Sequence, residues 1–151
     1  MWFRLLSIWL LLLVFTSCST SSADYKIEVA SPTKDVQLKL FYQDNYIDNY
    51  TEEKSIQSTF KNSSYSFEIM NASIQRIRLD FDNLQRDSVI VQNITLSRDT
   101  KKIKLEGKDL KDFFMLLPTI EGELLNDNSL LLKITDKEDP YIVSKNLNLL
   151  W

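Results

Sequence analysis

A period of two is the strongest constraint on what this chain can fold into. "YKIEVA" alternates Tyr25, Ile27 and Val29 against Lys26 and Glu28, and "DVQLKLFY" alternates Val36, Leu38 and Leu40 against Gln37 and Lys39. "SYSFEIM" puts Tyr65, Phe67 and Ile69 on one side, and "IQRIRLDF" sets Ile77, Leu79 and Phe81 opposite Arg76 and Arg78. Successive side chains of a strand point to opposite faces, so each run predicts a strand with one dry and one wet face. "SVIVQNITL" reads as one β-branched strand from about Val89 to Leu96, and "KKIKLEG" adds Ile103 and Leu105. "SLLLKIT" (129–135) and "YIVSKNLNLL" (141–150) are the last two runs. Seven or more short strands parted by turn residues predict an all-β fold, an antiparallel sandwich of jelly-roll-like form.

Two segments depart from that period. Leu110, Phe113, Phe114 and Leu117 recur at helical spacing and predict one short helix, stopped by Pro118 and packed on a sheet. Residues 44–55 are polar, follow neither period and read as a long loop. Two glycines and three prolines leave little room for flexible linkers, so one domain is expected over residues 25–151.

The N-terminus bears on the compartment. Arg4 precedes an apolar run from Leu5 to Phe15, too short to span a bilayer, which takes roughly 20 residues. It has the dimensions of a signal-peptide apolar region, expected over residues 1–17. The run ends in Phe15-Thr16-Ser17-Cys18, which resembles a bacterial lipobox. In that family cleavage falls before the cysteine and lipid is attached to its sulfur. The resemblance implies lipidation at Cys18, a polar tether over 18–24 and a membrane-anchored envelope lipoprotein. Ser19 after the cysteine implies an outer-membrane address. The alternative is an ordinary secretory signal cut near Ser21-Ser22-Ala23, with Cys18 discarded.

Several chemistries are excluded or disfavoured. A net charge of −3 without a basic stripe argues against a nucleic-acid partner. There is no histidine, so a serine–histidine triad is excluded. No nucleophile elbow, phosphate-binding glycine loop or zinc motif occurs. No catalytic residue is assigned and no cofactor is implied, with calcium as the one ion to consider.

"QLKLFYQDNYIDNYTEEKSI", "YSFEIMNASIQRIRLDFDNLQRDSVIVQNITL" and "LLLKITDKEDPYIVSKNLNL" together resemble a β-sandwich module of bacterial surface-polysaccharide proteins. That module occurs beside glycosyltransferase domains and in multi-span membrane proteins. The matching features are the strand end Arg76 to Asp80, the strand Val89 to Leu96, and Asp139-Pro140 before the last strand. The resemblance implies a sandwich and a glycan context, without catalytic residues.

Two candidate sites follow. The loop "YQDNYIDNYTEE" joins aromatic faces (Tyr42, Tyr46, Tyr50) to carboxylates (Glu52, Glu53, with Asp44 and Asp48). Sugar sites need both, rings for the C–H side and carboxylates for the hydroxyls. Asp80, Asp82, Asn83 and Asp87 could offer oxygen ligands to calcium, or form the turn between two strands. Three functions stay open: a lipid-anchored protein that binds or accompanies surface glycan, a non-catalytic accessory subunit of an envelope membrane complex, and a glycan-processing enzyme using a carboxylate pair.

Overall fold

The computed structural model describes residues 23–45, 47–82 and 84–151. The signal segment, Cys18, most of the tether, Tyr46 and Asn83 lie outside them. The alternating runs form strands where expected: β1 (Ala23–Ala30), β2 (Gln37–Gln43), β5 (Ser64–Ala72), β6 (Arg76–Asp82), β9 (Lys101–Glu106) and β12 (Leu130–Ile134). Short strands that no clear period announced fill the edges: β3 (Ser55–Gln57), β4 (Thr59–Lys61), β10 (Phe114–Leu116) and β11 (Ile120–Leu124).

The strands make three antiparallel sheets, ordered β4-β5-β1-β8-β9, β10-β13-β6-β2-β3 and β11-β12-β7. Here β7 is Ser88–Val91, β8 is Asn93–Arg98 and β13 is Tyr141–Ser144. We call these the first, second and third sheets. The chain passes repeatedly from one to another, and their dry faces share a single buried cluster. Tyr25, Ile27, Phe67 and Ile94 line it from the first sheet, Leu38, Leu40, Ile77 and Leu79 from the second, and Val89 and Leu132 from the third. The result is an antiparallel β-sandwich with one short helix.

Several polar groups caught in this architecture are satisfied. The Tyr65 hydroxyl donates to the Thr33 carbonyl at 2.7 Å. The Ser31 hydroxyl donates to the Ile90 carbonyl at 2.6 Å, and the Ile90 amide donates to Thr33 Oγ1 at 3.2 Å. The 31–33 link thereby covers the edge of β7 that β12 leaves open. Asn62 and Ser63 both take positive φ, the requirement of a tight hairpin turn between β4 and β5.

Three expectations need correction. The run Val89 to Leu96 is two strands in two sheets. It breaks at exposed Gln92, whose amide donates to the Ala30 carbonyl at 2.8 Å. The helix α1 covers only Gly107–Phe113; Phe114 leaves it to pair with Ser144, so Phe114 and Leu116 belong to β10. Pairing with β13 gives those residues sheet hydrogen bonds in place of another helical turn before Pro118. Leu110 and Phe113 are still buried against the sheets, as the stripe required. The last strand stops at Ser144, and residues 147–149 form a 3-10 turn whose Asn146 cap accepts from the Asn148 amide at 2.9 Å.

Candidate functional site

The wet face of the second sheet carries the most unusual chemistry of the molecule. Strand parity puts Arg76, Arg78 and Asp80 of β6 on that face, with Lys39 and Phe41 of β2 on one side and Tyr141 and Val143 of β13 on the other. Arg78 grips Asp80 through two parallel bonds, Nε to Oδ1 and Nη2 to Oδ2, both 2.6 Å. Its Nη2 also donates to Asp139 Oδ1 at 2.8 Å. The guanidinium lies 3.6 Å from the Tyr141 ring centroid and 5.4 Å from that of Phe41. Burial pushes the Asp80 carboxyl above the usual carboxylate range, and the Arg78 fork pulls against that rise. Arginine keeps its proton, so the pair is held as an ion pair by a planar donor fork matched to a carboxylate.

Tyr50 folds down beside this face from the 44–54 loop. With Arg76, Met115, Tyr141 and Val143 it lines a cavity of about 250 Å³. A second cavity of about 330 Å³ continues past Tyr141 and Leu117 toward Asp136, Glu138 and Asp139. Tyr141 is thus the partition of a shallow groove, apolar and aromatic at one end and acidic at the other. The Tyr50 hydroxyl is sealed from solvent without a hydrogen-bond partner among the described residues. Its desolvation raises the phenol pKa above the ordinary value, against the pull of Arg76 and Arg78. A buried hydroxyl left unpaired costs about 1–3 kcal/mol, so this placement is destabilising by that order.

The residues singled out in the loop separate. Tyr50 reaches the groove, while Tyr42 sits in β2 and packs against the core. Glu52 is exposed and paired with Lys39, whose hydrogen bond holds its carboxyl below the usual range. Glu53 is exposed and makes no ion pair among the described residues. Asp44 accepts from Lys54 at 2.5 Å, and that bond lowers its pKa. The loop is tied to the sheet by Gln43, whose Nε2 donates to the Asp48 carbonyl.

The acids considered for calcium are not gathered. Asp80 is committed to Arg78 inside β6, Asp82 is exposed at the strand end, and Asp87 accepts from Lys137 at 2.7 Å. Among the described residues no three metal-binding side chains form a group. Asp80 is therefore part of a strand, and the corner begins after it. Sequence reasoning did not single out Tyr141 or the acids before it. The available signal was an aromatic residue directly after Asp139-Pro140, at the start of a strand whose partner is β6. Comparison with protein-family models, curated proteins and solved structures finds no match for this chain.

Proposed function

We propose that this is a lipid-anchored cell-envelope protein that binds surface glycan in the groove divided by Tyr141. The observation that carries the binding half is the Tyr50 ring, half-buried beside Tyr141 with an unpaired hydroxyl, opposite a bank of acids. Aromatic rings offer apolar faces to the C–H side of a sugar, and Asp136, Glu138 and Asp139 offer acceptors for its hydroxyls. A ligand hydroxyl that reached the Tyr50 phenol would relieve its desolvation. The reading is binding without turnover, since Asp80 is neutralised by Arg78 and the groove is shallow.

Support for the anchor comes from Cys18 and from β1, which begins at Ala23 and runs through the middle of the first sheet. Several acyl chains on one cysteine bind a bilayer firmly, at about 0.8 kcal/mol per buried methylene. Cells fed labelled fatty acid are expected to label the wild-type protein and not Cys18→Ala. Equal labelling of the mutant would remove the anchor from the account. The binding half is tested by titrating purified envelope polysaccharide onto the wild type and a Tyr50→Phe protein.

A further inference from the structure

The three most exposed large apolar side chains among the described residues are Ile47, Leu149 and Met70, at 87%, 76% and 65% exposure. They come from three distant segments, yet hydrogen bonds tie those segments to one end of the sandwich. Asp24, at the start of β1, accepts from the Asn71 amide at 2.9 Å, which places Met70 there. The Gln75 amide donates to the Gln43 carbonyl at 2.7 Å, and Gln43 in turn holds the loop that carries Ile47. The Leu147 amide donates to the Gln75 carbonyl at 2.8 Å, which brings in Leu149.

The β8–β9 hairpin lies at the same end. The Asp99 amide donates to the Asp24 carbonyl at 3.0 Å, and Arg98, Asp99, Thr100, Lys101 and Trp151 line a cavity of about 360 Å³. Arg98 stacks 5.8 Å from the Tyr25 ring, and neither it nor Lys101 makes an ion pair among the described residues. Asp24 and Asp99 accept backbone amides, which leave their charge in place, while Asp44 and Asp48 pair with Lys54. The rim therefore offers apolar tips around two cations that no ion pair among the described residues holds, with the carboxylates of Asp24 and Asp99 nearby.

We propose that this end of the sandwich seats on the bilayer surface that holds the anchor, with the apolar tips in the headgroup layer and Arg98 and Lys101 on anionic phosphates. Tether length favours that occupant, and the inference rests on the lipid-anchor reading. Four residues separate Cys18 from Ala23, and the five steps between them, fully extended, reach about 17 Å. A lipidated Cys18 keeps this end, rather than the Leu124 end, within that distance of the membrane. Basic residues and tryptophan beside apolar side chains are the composition of interfacial contact.

The chain supplies its own probe. Tryptophan occurs only at positions 2, 9 and 151, so cleavage before Cys18 leaves Trp151 alone. The mature lipidated protein is reconstituted into phosphatidylcholine–phosphatidylglycerol vesicles with brominated acyl chains, and Trp151 emission is read after flotation. Loss of most of the emission is expected. A Trp151→Phe/Leu124→Trp chain, whose probe sits at the opposite end, should keep its emission, and Ile47→Asp/Leu149→Asp should float while recovering most of it. Equal quenching at both ends, or floating protein with unquenched Trp151, overturns the docking surface and leaves the anchor standing. Protein that carries no lipid and does not float overturns both.

Discussion

Asp80→Ala is expected to cost about 3–5 kcal/mol, the loss seen when one partner of a buried ion pair is removed. The side chains of Asp80 and Arg78 are only 9% and 18% exposed, so neither charge can fall back on water. Without Asp80, Arg78 keeps exposed Asp139 as its one carboxylate, and Lys39 of β2 loses the acid across from it in β6. Urea unfolding of the two proteins measures the cost directly. An Arg78→Met/Asp80→Leu double variant is expected to stand much closer to wild type, because no charge is stranded and the residues still fill the volume. A single-variant loss below about 1 kcal/mol would mean that the pair is hydrated and worth no more than a surface bridge.

Phe67→Ala should be comparably severe, about 3–5 kcal/mol, through a different cause. Phe67 is 1% exposed and points from the middle of the first sheet into the shared cluster, beside Ile27 on β1. The sheets cannot collapse onto the space it leaves without breaking register, so transfer and cavity costs add. Phe60 on edge strand β4 is the control: it is 39% exposed, and its ring packs 4.6 Å from that of Tyr65. Phe60→Ala should cost about 1 kcal/mol. Thermal unfolding of both variants checks the contrast, and equal shifts would contradict the placement of Phe67 at the centre.

Period two made the strands legible, because β1 and β5 have one face largely in water and β2 and β6 set core residues against mostly polar ones. It did not reveal where the chain changes sheets. The signal was nonetheless present in a slip of parity: Val89 and Val91 face the core from the third sheet, while Ile94 and Leu96 face it from the first. A one-residue slip turns a strand over, and here it marks the crossing at Gln92. The edge strands β3, β4 and β10 were illegible because three residues cannot display a period. Phe113 and Phe114 both fit the helical spacing, and only the pairing of β10 with β13 takes Phe114 out of the helix.

The site was half legible. Tyr50 was singled out because aromatic and acidic residues crowd its loop, whereas Tyr141 follows acids but no other aromatic in sequence and is brought to Tyr50 only by β13 lying beside β6. The acids from Asp80 to Asp87 looked like a cluster because sequence distance hides direction: Asp80 lies along the sheet toward Arg78, and Asp87 turns outward to Lys137.

The most direct measurement of the central claim is calorimetric titration of purified envelope polysaccharide onto wild-type and Tyr50→Phe proteins, with the urea midpoint of each recorded alongside. The variant loses only an oxygen that is already unpaired, so its fold should be as stable as wild type or more stable by about 1 kcal/mol. Saturable binding to wild type, weakened by about tenfold in Tyr50→Phe as one hydrogen bond is lost, is the expected result. Saturable binding that is identical in the two proteins, or no binding to any envelope glycan, would contradict it.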